Sequence, residues 1–495
     1  MITVKNSVIK KQENFWNNCI FHPTDGIEDF WGKRILDRMS DDKAINMIRI
    51  YTMFEDIVYE DMDGNLCYDF RANDLRLDYL VEKGYNLLLT FATVPDCIAK
   101  STDNKTSVAL NKTRYKGKMW NSAPPKDYAL WEEVCYQYTK HIVERYGIDL
   151  VSKWNMMCFN EPNYGGFFMS ELPREATKER ALEYCKLYAS FEKGIRRVSD
   201  KIKIGGPALA GLNIDIFLST WLEDVKANNL KLDFISIHTY GMYPDELDLG
   251  TKIIDVNNNI EKHKKYIDII EAHGFEDTPI IVDEWGFATD GFSNIYQHPL
   301  LIHRETEVFS AFFAKLIYTY IHSGYKMEQL MICLSGQHET TEDFFGSRNF
   351  FTRNFITKPI YNCYILAGRL YKNLLGFNCQ NENIMAIPTK DDNENYSVML
   401  SYSDKNFTEQ IPTICEKITF EDDLSGKNIK VWCIDKENTN PYRLYQKSGM
   451  DKNLSQDEIK ILREEGKLKP LYEGAFEGEI ELKLSPNATY LITVE

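Results

Sequence analysis

The 495-residue chain has no apolar run of the length that a membrane-spanning helix needs, about 20 residues. Its first residues, MITVKNSVIKKQENFW, also lack the apolar core of a signal peptide. The eleven cysteines are scattered, form no CxxC pair and are odd in number, which argues against a disulfide framework. We therefore expect no membrane interaction, and reduced thiols in a cytoplasmic protein.

Several kinds of ligand site are also missing from the sequence. The net charge is −16 and no Lys/Arg cluster stands out, so no nucleic-acid partner is expected. None of the nine histidines forms an HxxxH or comparable pair, and we expect neither a metal nor a cofactor. Asp61 begins a segment like a calcium loop, but Leu66 and Ala72 stand where Gly and Glu are required, which predicts a turn. Gly205-Gly206-Pro207 lacks the Lys-Ser/Thr of a phosphate loop and is predicted to end a strand tightly.

Short apolar runs alternate with longer segments of helical periodicity, the pattern of βαβ units around a parallel sheet. Helical spacing predicts helices over 127–145, 179–198 and 306–323. Eight apolar runs are predicted to be strands: Phe15–Cys19, Asn46–Tyr51, Asn86–Thr93, Trp154–Asn160, Lys203–Gly206, Asp233–His238, Pro279–Glu284 and Leu330–Cys333. This order predicts a catalytic (β/α)8 TIM barrel over 14–350, enlarged by insertions beyond the typical size of about 250 residues.

The pattern changes after about Leu375, where short alternating segments are separated by turns rich in Asp, Asn and Pro. Such segments predict a mostly antiparallel sheet, with one polar helix at 455–465. We expect 1–13 and 351–495 to form a C-terminal β-sandwich accessory domain, together with the segment that connects it to the barrel.

Glu161 follows the fourth predicted strand, within the run Trp154 to Asn163. Barrel enzymes place their catalytic groups at the carboxyl ends of the strands, so Glu161 is expected in the mouth of the barrel. An isolated glutamate at such a junction is more often a solvated surface residue. The flanking Asn160, Pro162 and Asn163 favour the functional interpretation, because Asn-Glu-Pro directly after a strand is a rather specific signature.

The seventh predicted strand ends in a second carboxylate pair, Asp283-Glu284, followed by Trp285, an aromatic residue that could stack on a sugar. Side chains alternate along a strand, so only one of the two acids is expected to face the lumen, and the spacing alone does not choose between them. Two carboxyl groups that face each other across one barrel are the groups that glycosidases use to cleave a glycosidic bond. One donates a proton to the leaving oxygen while the other attacks as an anion.

Three further polar residues lie on predicted barrel strands. His238 could bind a sugar hydroxyl, and Tyr240 could hydrogen-bond the nucleophile, although both could also be packed for structure. Arg49 lies inside the second strand, where a cation is costly unless it is paired. We expect Arg49 to support a carboxylate, plausibly the nucleophile, with a structural ion pair elsewhere as the alternative.

With these motifs in order, the chain resembles glycoside hydrolase family 39, the β-xylosidase and α-L-iduronidase family. The resemblance covers nearly the whole length. It rests on Phe15-Trp16, Arg145-Tyr146-Gly147, Trp154 with Asn160-Glu161-Pro162-Asn163, Gly205-Gly206-Pro207, Asp233 to Ser236 with His238 and Tyr240, Asp283-Glu284 and Lys358-Pro359. It implies Glu161 as acid/base, Glu284 as nucleophile and Asn160 as a contact to the sugar 2-hydroxyl. Ionised Glu284 is expected to keep Glu161 protonated until glycosylation removes its charge.

The chain departs from the bacterial β-xylosidases of this family at positions that shape the sugar pocket. Tyr51 replaces a histidine, Thr90 a glutamate, and Cys333 and Phe168 each replace a tryptophan. An acidic pair after the eighth strand is replaced by Thr340 and Thr341, beside Glu339 and Glu342. The candidate substrate-binding residues are Asn160, His238, Tyr240, Trp285, Arg49, Tyr51, Trp120 and Phe168. The catalytic pair is retained, while the sugar specificity is open.

The resemblance implies a retaining exo-glycosidase, with a β-xyloside in plant-derived oligosaccharides as the expected substrate. The same chemistry would serve an α-L-iduronidase, an arabinosidase, a glucosidase or an endo-acting enzyme of the same clan. A catalytically silent carbohydrate-binding protein is the alternative from another class. Bacterial relatives are commonly oligomeric, so a homo-oligomer is a further expectation, although the sequence shows no interface.

Overall fold

The computed structural model describes residues 1–106, 120–250, 252–289, 293–335 and 340–495. Within these residues, eight parallel strands close into a barrel, and neighbouring strands follow one another along the chain. The barrel strands are Asn18–His22, Met47–Tyr51, Asn86–Phe91, Asn155–Cys158, Lys203–Leu209, Phe234–Met242, Ile280–Ala288 and Met327–Ser335. Each overlaps a strand expected from the sequence, and the predicted barrel is confirmed.

Helices alternate with the barrel strands and bury their apolar faces against them. Those in the barrel are Phe30–Asp41, Arg71–Glu82, Tyr128–Tyr146, Ile148–Val151, Thr177–Arg196, Ile214–Ala227, Pro244–Asp248, Val256–Ala272, Glu307–Ser323 and Pro359–Ala367. The three helices predicted from periodicity begin within two residues of their expected starts. None of the helices in the described residues has the length and hydropathy of a membrane span.

The two motifs that lacked a complete ligand loop are structural. Asp61 Oδ1 accepts hydrogen bonds from the backbone N–H groups of Asp63 and Asn65, which confirms the predicted turn. The prediction for Gly205-Gly206-Pro207 is wrong, because the strand continues through this tripeptide to Leu209. A Cβ atom on Gly205 would lie 2.2 Å from the carbonyl oxygen of Phe234, so glycine allows the fifth and sixth strands to approach.

The second domain is one mixed sheet of nine strands that folds over a common apolar core. Side chains from both ends of the strand order, including Val431 and Leu482, share this core. All neighbouring strands are antiparallel except Ile2–Lys11 and Ile414–Phe420. The strands are Ile2–Lys11, Asn373–Asn378, Ile384–Lys390, Tyr396–Tyr402, Ile414–Phe420, Asn428–Ile434, Pro470–Ala475, Glu479–Leu484 and Ala488–Val494. The helices Pro441–Ser448 and Gln456–Glu465 belong to the same part of the chain.

The two domains are joined through the barrel helix Glu307–Ser323. The carboxylate of Glu307, which is fully buried, accepts hydrogen bonds from Asn440 Nδ2 at 2.8 Å and Arg443 Nε at 3.1 Å. Tyr364 stacks on Phe313 of the same helix, with ring centroids 4.1 Å apart. The apolar core of the barrel therefore extends through the helix Pro359–Ala367, beyond residue 350.

Candidate active site

Glu161 stands directly after the fourth barrel strand in an unusual backbone conformation. Its φ is 46° and that of Phe159 is 64°, in the left-handed region that costs a non-glycine residue roughly 1–3 kcal/mol. The Glu161 N–H donates to the carbonyl oxygen of Ala208 at 2.9 Å, which ties the fourth strand end to the fifth strand. The side chain is 19% exposed. This conformation is held by the neighbouring strand and aims the carboxyl group into the barrel mouth.

Glu284 lies in the seventh strand at a bulge. Val282 pairs with Ile237 and Glu284 pairs with His238, which leaves Asp283 without a partner on the sixth strand. A bulge breaks the strict alternation of side chains, so both acids turn towards the same cation. Arg49 Nη1 lies 3.0 Å from Asp283 Oδ2 and 2.9 Å from Glu284 Oε1. The expectation that only one of the two acids faces inward is therefore wrong.

The two glutamates meet across the barrel mouth. One carboxylate oxygen of Glu161, one of Glu284 and Nδ1 of His238 all lie within 4.8 Å of one another. Retaining glycosidases place their two carboxyl groups about 5–5.5 Å apart, whereas inverting enzymes need roughly 6.5–9.5 Å to admit a water molecule. The separation fits direct attack by one carboxylate on the carbon whose leaving oxygen the other protonates.

Arg49 organises the side of the site that carries Glu284. Its guanidinium is completely buried and donates to Glu284, to Thr90 Oγ1 at 3.0 Å and to Asn160 Oδ1. Burial alone would lower the pKa of Arg49, but Asp283 and then Tyr51 and Glu284 raise it above its ordinary value. The guanidinium is therefore a cation in the pH range of ordinary enzymes.

Glu284 is held in its ionised form. Burial would raise the pKa of Glu284, but the positive charges of His238 and Arg49 and the hydrogen bond from Tyr240 outweigh it, lowering the pKa from 4.5 to about 2. Tyr240 Oη donates to Glu284 Oε2 at 2.7 Å. The carboxylate is therefore an anion in the pH range of ordinary enzymes, as a nucleophile must be.

His238 connects the two glutamates. Its Nδ1 lies 2.9 Å from Glu161 Oε1 and its Nε2 lies 3.4 Å from Asp283 Oδ2. Burial would lower the pKa of His238, but Glu284 and Asp283 raise it from 6.5 to about 10. Glu161, His238 and Glu284 also have the spacing of metal ligands. A protonated imidazole has no free lone pair to offer a metal, however, and the cluster is better explained by proton chemistry.

Arg348 is a site residue that the sequence did not indicate. It lies in the segment after the eighth strand, and its Nη1 donates to Tyr240 Oη at 2.8 Å. Its guanidinium carbon is 5.6 Å from the centre of the Tyr240 ring, and its charge helps to lower the pKa of Glu284. Because Arg348 donates to the Tyr240 oxygen, the phenolic proton is directed to Glu284. Arg348 does not follow an apolar run of strand length, so the sequence pattern did not predict that it belongs to the site.

A cavity of about 630 Å³ opens over these groups. Both glutamates line it, as do Asn160, His238 and Tyr240. Its remaining wall is aromatic in part and includes His22, Tyr51, Tyr164, Phe167, Tyr243, Cys333 and Arg348. One pocket thus brings together candidate residues from the ends of four strands: Tyr51, Asn160, Glu161, His238, Tyr240 and Glu284.

Four predicted substrate-binding residues lie outside the wall of this cavity, and one of them, Arg49, is buried beneath Glu284. Trp285 is fully buried against Phe313 on the outside of the barrel, with ring centroids 5.5 Å apart, and the prediction that it stacks on a sugar is wrong. It is adjacent to Glu284, so an inward Glu284 sends Trp285 outward. Phe168 is also fully buried, and its neighbour Phe167 lines the cavity instead. Trp120 packs behind the wall, 5.0 Å from the Tyr51 ring.

The chain is similar in sequence and in fold to known glycoside hydrolases. The Glycosyl hydrolases family 39 pattern matches residues 1–477. A β-xylosidase from Caldicellulosiruptor saccharolyticus is 25% identical over 487 residues, covering 93% of this chain and 90% of the relative. A monomeric β-xylosidase from Caulobacter crescentus shares the fold with a TM-score of 0.82 at 18% identity, covering 100% of this chain and 99% of that one. A bacterial orthologue of human α-L-iduronidase shares it with a TM-score of 0.77 at 15% identity, covering 100% and 83%. The chain therefore belongs to the glycosyl hydrolases family 39 and is a glycoside hydrolase.

Proposed function

We propose that the protein is a retaining exo-glycosidase that removes a β-linked xylosyl residue from plant-derived oligosaccharides. The observation that carries the mechanism is the 4.8 Å limit between carboxylate oxygens of Glu161 and Glu284, in surroundings of different charge. Three positively charged or donating groups, those of His238, Arg49 and Tyr240, stabilise Glu284 as an anion. The β-xylosidase relative that matches 93% of the chain supports the xyloside.

In the first half of the reaction, Glu284 attacks the anomeric carbon and Glu161 protonates the departing oxygen. The Nδ1–H of His238 is bonded to Oε1 of Glu161, which leaves Oε2 to carry the proton. Arg49 and Tyr240 donate hydrogen bonds to the two oxygens of Glu284, over 2.9 Å and 2.7 Å. The attacking carboxylate is therefore positioned before the substrate binds. The product is a glycosyl ester of Glu284 and a free leaving alcohol.

In the second half, Glu161 removes a proton from water as that water attacks the same carbon from the opposite side. Glu284 leaves as a carboxylate and regains its hydrogen bonds from Tyr240 and Arg49. Two inversions return the original anomeric configuration. Asn160, which lines the cavity and accepts from Arg49 Nη2, is placed to bind the sugar 2-hydroxyl.

A 2-deoxy-2-fluoro xyloside with a good leaving group tests this proposal. The fluorine slows release of the intermediate, so we expect stoichiometric labelling of the protein and a labelled peptide that contains Glu284. Peptide sequencing distinguishes Glu284 from its neighbour Asp283, which also lies next to Arg49. A label on Asp283, or product with inverted configuration, would contradict the mechanism.

An α-L-iduronidase-like enzyme is the second candidate. The cavity wall includes the guanidinium groups of Arg348 and Arg174, and a guanidinium is a good partner for the carboxylate of a uronic acid. A panel of aryl β-xyloside, α-L-arabinoside, β-glucoside and α-L-iduronide separates these specificities. A long oligosaccharide, analysed for mid-chain products, distinguishes exo from endo action.

A silent carbohydrate-binding protein is the remaining alternative. A binding module needs neither a strained Glu161 nor a Glu284 held as an anion, and the structure has both. Turnover of any glycoside in the panel that collapses in Glu161→Gln would exclude it. The control is Glu171→Gln, an exposed glutamate of the same loop outside the cavity wall.

We also propose a reducing compartment, the cytoplasm, for this enzyme. All eleven cysteines are free, and most of them are buried as small apolar side chains. Titration of the denatured, freshly purified protein is expected to find eleven thiols. A homo-oligomer stays a prediction, and light scattering on the purified protein would test it.

A further inference from the structure

A second cavity, of about 840 Å³, opens in the accessory domain and shares no lining residue with the active-site cavity. It lies between the strands Pro470–Ala475 and Glu479–Leu484, which are the two edges of the nine-stranded sheet. Only three residues connect these strands along the chain. The sheet therefore curls until its edges approach each other, and they leave an open slot that we call the edge cleft.

The floor of the edge cleft is apolar and its rim is polar. Val431 and Phe476 on the floor belong to the core of the domain. Edge strands usually carry charges that block further pairing. Here Leu471 and Tyr472 are instead 51% and 46% exposed at the edge, and both line the cleft. Two large side chains exposed next to each other in a cavity offer apolar surface that a ligand could cover.

Tyr472 lies flat along its own strand. A Cβ atom on Gly474 would be 2.7 Å from Tyr472 Oη and 3.2 Å from Cζ, so the ring extends across the place where a side chain would stand. One face of the ring covers the glycine backbone, while the residue as a whole stays half-exposed. A flat aromatic face with a polar end is the surface on which the C–H face of a sugar ring packs.

The rim supplies hydrogen-bond acceptors for hydroxyl groups. Glu477 and Glu481 are exposed there, and a carboxylate is a strong acceptor for an O–H donor. The lining also has Glu437, which is paired with Lys447, and two lysines, Lys483 and Lys436, of which Lys436 is paired with Glu409. The excess of carboxylates repels a polyanion, so the chemistry favours an uncharged ligand that is rich in hydroxyl groups.

We propose that the edge cleft binds a neutral oligosaccharide chain, with Tyr472 as the stacking platform and the rim carboxylates as acceptors. This inference rests on the proposed function for its substrate class, since a glycosidase for plant-derived chains gains from holding a polymer near its active site. The cleft raises the local concentration of chain ends and takes no part in the bond cleavage.

Retention on insoluble neutral xylan tests the proposal. The protein carries Glu284→Gln throughout, so that no substrate is consumed. Adding Tyr472→Ala is expected to weaken retention on the order of tenfold, as the loss of one aromatic stacking contact would. The matched control is Tyr59→Ala, which removes a tyrosine that is 52% exposed outside the cleft and is expected to change nothing.

The outcomes separate this inference from the proposed function. With Glu284 intact, the Tyr472→Ala protein is expected to turn over an aryl xyloside as fast as the unaltered enzyme. If neither of these two proteins turned over the aryl xyloside, that result would count against the proposed function and not against the edge cleft. Equal retention of the parent and Tyr472→Ala proteins would overturn the edge cleft, as would no retention of either. Retention on polygalacturonate as strong as on xylan would overturn the neutral ligand.

Discussion

Replacing Tyr240 by Phe removes one O–H group and leaves the ring in place. The lost hydrogen bond joins Tyr240 Oη to the ionised Glu284 at 2.7 Å, and a hydrogen bond to a charged group contributes about 1.5–3 kcal/mol. This bond is absent or weak in the glycosyl ester, because the ester oxygens carry no charge. It re-forms as Glu284 leaves, so its loss should raise the barrier of the second half-reaction by most of that amount.

With about 1.36 kcal/mol for each factor of ten, Tyr240→Phe is expected to lower kcat roughly 10- to 150-fold on an activated aryl xyloside. The intermediate then accumulates, so KM falls as well and kcat/KM changes less than kcat. The pKa of Glu284 should rise in the variant, because the hydrogen bond favours the charged form. The acid limb of kcat/KM therefore moves to higher pH.

Stopped-flow measurement of the released phenol is the assay. We expect a burst of about one equivalent in Tyr240→Phe, followed by the slow steady state. The control is Tyr164→Phe, another tyrosine of the cavity wall, whose hydroxyl donates to neither glutamate. An unchanged kcat, or a fall in kcat/KM as large as that in kcat without a burst, would refute the idea that Tyr240 stabilises the departing carboxylate.

Four further predictions concern the same cavity and the barrel around it. Glu161→Gln should nearly abolish turnover of substrates with poor leaving groups but spare a dinitrophenyl glycoside, and added azide should then give a glycosyl azide of unchanged configuration; rescue with inverted product would contradict the assigned role. Arg348→Ala should lower kcat more than Arg348→Lys, since lysine keeps the charge but not the fork that reaches Tyr240; equal losses would show that geometry is unimportant there. The pKa of His238 is raised to about 10, so the stability that the imidazolium contributes is full below pH 6.5 and is lost as the pH rises through 10. His238→Asn should therefore lower Tm more at pH 6 than at pH 10. An equal loss of Tm at both pH values would argue against the imidazolium. Trp285→Ala should lower the free energy of unfolding by about 3–5 kcal/mol, while Trp285→Phe keeps KM for an aryl xyloside, and a raised KM in Trp285→Phe would restore its sugar-binding role.

The barrel and the acidic residues at its mouth could be predicted because both depend on local sequence, whereas the choice of Glu284 over Asp283 came from the family resemblance. Apolar runs of strand length separated by helical periodicity define the fold, and a barrel places the residue after each strand in one mouth. Asn160-Glu161-Pro162 and Asp283-Glu284 follow such runs. Arg49 was predictable for a different reason, since a cation inside a strand must find an anion.

The rest of the site depends on geometry that no short pattern records. The bulge at Asp283 breaks the alternation from which one inward acid was expected, and nothing in the apolar run before it indicates an unpaired residue. Arg348 lies in an irregular segment of the chain, where neither helical nor strand periodicity predicts the direction of a side chain. Trp285 was assigned to the sugar because it is aromatic and adjacent to an acid, but alternation places it on the outer face, and alternation holds at that position.

The two glutamates differ in the groups that contact them. Glu284 is stabilised by His238, Arg49 and Tyr240, whereas in the described part of the chain the side-chain hydrogen bond to Glu161 comes from His238. When Glu284 becomes an ester, it no longer attracts the imidazolium, whose remaining acceptors are Asp283 and Glu161. In the proposed mechanism, His238 therefore contacts Glu161 in both half-reactions and keeps its carboxyl group in position. A single buried histidine between two carboxylates thus holds Glu161 within reach of the leaving oxygen and then of the attacking water.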